Sequence, residues 1–235
     1  IEACGLARRG VTSAVDGLGG PQGFVPAHHP QHDSSEAILP DGSETSFMFA
    51  DVRHKLHACC HGAHAMIEGL RNLVAAHDIT AQNLAALSIR VNPRWLKVCD
   101  IKAPRTGLEV KFSYVFLAAM VLHHIDTAAY QSYDDSICGN AGLIATASKI
   151  TVIGDEAISD GAVNVSADTQ TGVRHTTDFD LMDPIDLSVL GPRLVAKASV
   201  LIGPARAEKI WESMDDLDSM PAAQMARCLQ PLQNA

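Results

Sequence analysis

Lysine, histidine and cysteine are concentrated in one short stretch of the sequence, KLHACCHGAH, which runs from Lys55 to His64. Lys55 can pair with a substrate carboxylate, while His57, Cys60 or His64 can transfer protons. A strand is predicted to give way to a helix here, and the free N–H groups at a helix start favour an anion. The stretch therefore predicts an acid–base site for a carboxylate substrate.

A second group of charged and hydroxyl side chains lies about fifty residues later, in the stretch PRTGLEVKFS from Pro104 to Ser113. It also comes directly before a predicted helix. Lys111 and Ser113 can contact an anion there, although Ser113 equally fits an ordinary role at the start of a helix. We therefore treat Lys111 and Ser113, together with Lys55 and His57, as candidate substrate-binding residues.

Each candidate also has a structural interpretation. A lysine such as Lys55 is commonly a solvated surface residue, and Cys60 can be a small buried hydrophobe. His64 can line the core or cap a helix. The residue types alone leave these alternatives open.

A metal site is a further alternative, because five Cys and His residues fall between His57 and His64. Structural zinc sites usually draw their ligands from two separated pairs. Cys59 and Cys60 are adjacent, so they would point to opposite faces of an extended chain. His61 and His64 can share one face of a helix, which keeps a zinc-binding module among the hypotheses.

The hydrophobic pattern predicts the elements that position these residues. Helices are predicted near 61–76, 111–123, 137–147, 187–202, 205–217 and 222–232. Strands are predicted near 47–57, 84–91, 149–153, 162–167 and 173–177, with the last two forming a hairpin through the turn at 168–172. Such segregated strands favour an α+β fold over a doubly wound parallel sheet.

Three segments follow from this order of elements. Residues 1–46 are predicted to hold the end of a helical region, closing at Gly10, and a linker. Residues 47–183 are predicted to form a small mixed domain with antiparallel strands, and residues 184–235 a set of C-terminal helices.

Composition limits the partners of this chain. The net charge is −9, from 18 Lys and Arg against 27 Asp and Glu, and the basic residues form no run. We therefore expect neither nucleic acid nor an anionic membrane as a partner, and any acidic substrate needs a local group of cations. With six cysteines and no secretory segment, we expect free thiols in a reducing cytoplasm.

Four segments, in this order, resemble the MmgE/PrpD family. KLHACCHGAHAMIEGL is similar to a family segment in which a lysine leads to Cys or His and then a helix. PRTGLEVKFS is similar to the family pattern T-x-x-E-A-K-F-S. The opening GLARRGVTSAVDGLGGPQGF resembles the end of the large all-α domain of the family, and LGPRLVAKASVLIGPARAEKIWESMDDLD resembles the closing helices that pack on that domain.

The resemblance implies a chemistry. The family contains 2-methylcitrate dehydratases, cis-aconitate decarboxylases and iminodisuccinate epimerases, which move protons beside a carboxylate in small di- or tricarboxylates. It implies no metal or organic cofactor, and a homodimer. Lys55 would bind or polarise a substrate carboxylate. Cys60 stands where decarboxylase members carry a histidine, which weakens a decarboxylase assignment and leaves His64 as the nearest imidazole.

Two departures from the family pattern are visible. His57 and Ala58 replace the Tyr-Pro or Phe-Pro that is common there, a minor change. More importantly, the resemblance places the other acid–base residues in a helical domain before Ile1. We therefore expect the C-terminal lid and tail of a lyase or isomerase, inactive or nearly so by itself. A non-catalytic anion-binding module is the second hypothesis, and the zinc module is the third.

Overall fold

The computed structural model describes residues 2–21, 23–28 and 52–230. Contacts between residues divide the chain into two units, Ile1–Val52 and Arg53–Ala235. The first unit contains α1 (Glu2–Arg8) and α2 (Phe24–His28). The chain leaves α1 through Gly10, whose φ is +83°, so the predicted helix end at this glycine is confirmed. Most of the predicted linker lies outside the described residues, and the segment boundaries at residues 46 and 183 remain predictions.

The second unit contains both helices and strands. Its α-helices are α3 (His64–His77), α4 (Leu96–Cys99), α5 (Gly107–Val110), α6 (Tyr114–Leu122), α7 (Ala141–Ala147), α8 (Leu187–Ile202), α9 (Pro204–Glu212) and α10 (Ala222–Leu229). Its strands are β1 (Leu84–Val91), β2 (Ile150–Gly154), β3 (Ala162–Thr169) and β4 (Arg174–Asp180). Short 3-10 helices cover His61–Ala63, Pro93–Trp95, Tyr130–Tyr133 and Asp135–Gly139. In the described part of the chain, no helix combines the length and apolar character that crossing a bilayer requires.

The four strands form one sheet in the order β2-β1-β3-β4. β3 pairs antiparallel with both β1 and β4, whereas β2 pairs parallel with β1. The predicted α+β fold is confirmed, with a sheet that is antiparallel except for this one pair. The parallel pairing is possible because the chain between β1 and β2 includes α4 to α7 and is long enough to cross over.

The core lies between the sheet and the helices α3 and α6. Met66 and Leu70 of α3 are fully buried, as are Ile89 and Val165 of the sheet. Burying one such side chain stabilises the fold by roughly 1.5–3 kcal/mol. Every residue of α6 is buried, because a helix that is apolar on all sides must be covered on all sides.

The strand predicted at 47–57 is wrong over those of its residues that the structure describes. The chain from 52 to 57 has no regular secondary structure, and the rest of the predicted strand at 47–57 lies outside the described residues. The backbone N–H of His57 donates to Nε2 of His64 (3.2 Å), and that of Ala58 donates to the carbonyl of Thr127 (2.9 Å). Because these donors bond to a side chain and a loop, the segment is irregular.

The first position of α5 has no room for a side chain and therefore requires a glycine. A Cβ at Gly107 would lie 1.6 Å from the carbonyl oxygen of Tyr133, whereas a Cβ at Gly139 would have no atom within 4 Å. We expect Gly107→Ala to lower the free energy of unfolding by about 1–3 kcal/mol, since backbone must move to admit the methyl group. Chemical denaturation of the two alanine variants measures this, with Gly139→Ala as the control. Equal stabilities of the two variants would contradict the expectation.

Candidate active site

The two groups of candidate residues lie side by side in the fold. The backbone N–H of Cys60 donates to the carbonyl of Lys111 (3.1 Å), and the hydroxyl of Tyr114 donates to the carbonyl of Gly62 (2.8 Å). Through these two bonds, the loop before α3 is joined to the residues that lead into α6. Two stretches about fifty residues apart in sequence thus form one surface.

Lys55 is exposed in the irregular segment before α3. Its backbone carbonyl accepts a hydrogen bond from Nζ of Lys197 on α8. Burial first, and then the charge of Lys55, lower the pKa of both His61 and Lys197. The ammonium group of Lys55 therefore acts on the loop that holds the histidines and on α8.

Lys111 is half-buried, and its ammonium group lies over two aromatic rings. Nζ is 4.6 Å from the ring centroid of Tyr130 and 5.1 Å from that of Tyr133. Cation–π contacts of this kind hold an ammonium group in place without neutralising it. Lys111 therefore keeps a charge that an anion can use.

Ser113 is fully buried at the start of α6. Its Oγ accepts a hydrogen bond from the backbone N–H of Phe116 (3.3 Å), which is the role of an N-cap. The helix-start interpretation of Ser113 accounts for this geometry, while its contact with a substrate remains a prediction.

His57 is buried inside a polar network that sequence reasoning did not predict. Its Nε2 lies 2.8 Å from Oε1 of Glu68, and its Nδ1 lies 2.8 Å from Oγ1 of Thr127. Burial lowers the pKa of His57, although Glu68 opposes this effect. The neutral ring then donates from Nε2 to Glu68 and accepts at Nδ1 from the hydroxyl of Thr127, a tautomer that the network assigns.

Glu68 connects this network to α8. Its Oε1 also accepts a hydrogen bond from a guanidinium N–H of Arg193 (2.6 Å). Burial by itself raises the pKa of Glu68, but the hydrogen bonds from His57 and Arg193 outweigh it and lower the pKa to about 2. Glu68 is therefore a buried carboxylate that stays charged because it is paired. The sequence feature that could have indicated this role is the presence of a glutamate within the apolar run of α3.

His64 is also buried, and both of its ring nitrogens are occupied. Nδ1 donates to the carbonyl of Cys60 (3.1 Å), and Nε2 accepts from the backbone N–H of His57. Burial, and then the neighbouring His57, lower the pKa of His64 to about 3. The neutral ring holds the loop at the start of α3. Its proposed part in proton transfer remains a prediction.

Three thiols lie around the same loop. Cys60 is half-buried, and Cys59 and Cys99 are buried. Burial, and then the proximity of Cys60, raise the pKa of Cys59 to about 12; burial and Cys60 also raise that of Cys99. All six cysteines are free, as predicted. In the ranges 2–21, 23–28 and 52–230, no three His, Cys, Asp or Glu side chains form a group that could hold a metal ion, so the zinc hypothesis finds no ligand set there.

The fold and this surface define a class of protein, an α+β domain in which the loop before α3, with Lys55 and Cys60, is hydrogen-bonded to the segment that carries Lys111. Residues 57–181 match the family model described as the MmgE/PrpD C-terminal domain. Since this match covers more than half of the chain, the chain belongs to the MmgE/PrpD family, as its sequence predicted. The family is of the dehydratase and lyase type. Among curated proteins, none matches this chain.

Proposed function

We propose that this chain supplies the C-terminal part of the active site in a lyase or isomerase of small di- or tricarboxylates. The reaction moves a proton at the carbon beside a carboxylate. The observation that carries the proposal is the hydrogen bond from the backbone N–H of Cys60 to the carbonyl of Lys111, which joins the two candidate stretches. In a family of dehydratase and lyase type, such a surface of cations and protonatable groups suits an acidic substrate with an acidic C–H bond.

Each side chain has a role in this proposal. Lys55 binds or polarises one carboxylate, because its ammonium group is exposed, and Lys111 adds a second charge close by. Cys60 and His64 line the path of the proton. Cys60 is the more accessible of the two, because it is half-buried and its side chain caps no helix, whereas both ring nitrogens of His64 are engaged.

The family resemblance completes the proposal. It implies further acid–base residues from a helical domain, a homodimer, and a reaction without metal or organic cofactor. The cysteine content favours a cytoplasmic enzyme. Dehydration or epimerisation is favoured over decarboxylation, since Cys60 stands where decarboxylase members carry a histidine.

The decisive test is Lys55→Ala. We expect kcat/KM to fall by about 100-fold or more on the substrate that the wild type converts, because one preorganised charge at a reacting carboxylate contributes roughly 2.7–4 kcal/mol. The assay offers cis-aconitate, 2-methylcitrate and iminodisuccinate to purified enzyme that includes the helical domain which the resemblance implies. Lys97→Ala is the control, since Lys97 is also an exposed lysine but lies on α4.

The outcomes separate the hypotheses. Full activity of Lys55→Ala would remove Lys55 from the site. Wild-type protein that includes the helical domain and binds these acids but converts none of them would favour the non-catalytic anion-binding module. The locked, neutral rings of His57 and His64 make that second function worth testing, because they reduce the number of groups free to carry a proton.

A further inference from the structure

A cavity of about 200 Å³ lies between α3, α8 and the loop that contains Asp126. Three cationic side chains line it: Arg71 from α3, and Arg193 and Lys197 from α8. Asp126 is the acidic residue of its lining, and the buried His57 forms part of the wall. Pockets for drug-sized ligands measure roughly 300–1,000 Å³. The volume therefore suits a small anion.

The charge of this cavity is opposite to that of the whole chain, which carries −9. Glu68 compensates Arg193 through their ion pair (2.6 Å). Arg71 forms no ion pair within the parts of the chain that the structure describes, and Lys197 donates to a neutral carbonyl, that of Lys55. Two cations thus face one carboxylate, Asp126, so the lining keeps a positive charge.

Donors remain available on these side chains. Arg193 and Lys197 are four residues apart on α8, so they lie on the same face of the helix. A guanidinium carries five N–H donors and an ammonium carries three. The hydrogen bonds to Glu68 and to the carbonyl of Lys55 use one donor of Arg193 and one of Lys197. The remaining donors can bind both oxygens of a carboxylate.

The cavity is also next to the proposed active site. The bond from Nζ of Lys197 to the carbonyl of Lys55 joins α8 to the segment that carries Lys55. Burial, and then repulsion by the neighbouring Lys55, lower the pKa of Lys197. An anion that lies between two such cations relieves their repulsion.

We propose that the cavity lined by Arg71, Arg193 and Lys197 binds a second carboxylate of the substrate, while Lys55 holds the first. This inference rests on the proposed function, and it assigns residues to the second carboxylate of the di- or tricarboxylate substrate. A monocarboxylate engages Lys55 alone. Arg71 on α3 and Lys197 on α8 are then specificity-determining residues of the cavity.

The test is the binding of citrate and propionate to the purified protein by isothermal titration calorimetry. We expect Arg71→Gln and Lys197→Gln each to weaken citrate binding by about tenfold, the effect of losing one charged hydrogen bond, and to leave propionate binding unchanged. Arg71 is exposed and forms no ion pair with any residue that the structure describes, so its substitution keeps the fold, which circular dichroism checks. Arg174→Gln on β4 is the control and keeps the wild-type affinity.

The outcomes distinguish this inference from the proposed function. Unchanged citrate affinity in Arg71→Gln and Lys197→Gln, with weaker binding in Lys55→Ala, would overturn the cavity proposal alone. Weaker binding in the two cavity variants but not in Lys55→Ala would support the cavity and count against the role of Lys55. Inorganic phosphate that binds as tightly as citrate, with the same dependence on Arg71, would overturn the assignment to carboxylates. So would a wild-type protein that binds no citrate.

Discussion

Glu68→Leu is expected to lower the free energy of unfolding by about 3–5 kcal/mol, the usual cost of removing one partner from a buried ion pair. The carboxylate accepts from His57 and Arg193, and it is 5% exposed. Leucine has a similar size but no acceptor. The N–H of His57 would then lie in the interior without a partner, and Arg193 would lose its counter-ion.

Chemical denaturation of three variants measures this effect. Glu68→Gln keeps one acceptor oxygen, so we expect a smaller loss than for leucine. Asp168→Asn is the control, because it removes an ion pair with Arg174 that is exposed on the sheet, where solvent screens the attraction. If Glu68→Leu unfolds at the same denaturant concentration as the control, the buried pair does not stabilise the fold.

The same pair also supports the proposed cavity. Glu68 on α3 and Arg193 on α8 are 125 residues apart, and their bond holds the two helices together. Arg71 and Lys197 lie on these two helices. A variant that loses the pair should therefore lose citrate affinity too, through misplacement of α8, even though Glu68 touches no ligand.

Acidification is expected to destabilise the protein already at pH values well above the range in which most carboxylates titrate. The pKa of His64 is about 3 in the folded state and 6.5 in the unfolded chain. A depressed pKa means that the unfolded state binds the proton first, so the stabilisation is fully present above pH 6.5 and is lost as the pH falls toward 3. At pH 5 the stabilisation that has been lost amounts to roughly 2 kcal/mol, at about 1.4 kcal/mol for each pH unit below 6.5. His57 has a lowered pKa and acts in the same direction.

Glu68 extends the effect to lower pH. Its pKa is about 2 when folded against 4.5 unfolded, so its stabilisation is present above pH 4.5 and is lost as the pH falls toward 2. The free energy of unfolding should therefore decline between pH 7 and pH 5 because of the histidines, and further below pH 4.5 because of Glu68.

The measurement is the free energy of unfolding from denaturant titrations at pH 7, 6 and 5. His64→Gln should be less stable than wild type at pH 7, because it loses the ring that bonds Cys60 and His57, and its stability should decline less between pH 7 and 5. His54→Gln, at an exposed site, is the control and should follow the wild type. A wild-type stability that is flat from pH 7 to 5 would show that His64 does not stay neutral in the fold.

The regular elements were largely determined by sequence. The strand at 84–91 and the helix at 187–202 have the bounds that their hydrophobic patterns predict. The predicted hairpin also forms, although its turn lies at 170–173 rather than 168–172, because Asp168 still pairs with Arg174. Pro204 begins α9 after Gly203, and Ser113 caps α6. These features depend on residues within a few positions of one another, so the information for them is local.

The arrangement of the site was decided by tertiary structure. The joining of Cys60 to Lys111, the pairing of β1 with β2, and the bond between Glu68 and Arg193 all connect distant parts of the chain. No pattern within a segment indicates which distant group a buried charge will meet. The predicted strand before His57 failed for the same reason, since the donors of that segment bond to a side chain and to a distant loop rather than to a neighbouring strand. Periodicity therefore reveals which face of an element is buried, whereas the partner of a buried polar group depends on how the whole chain packs.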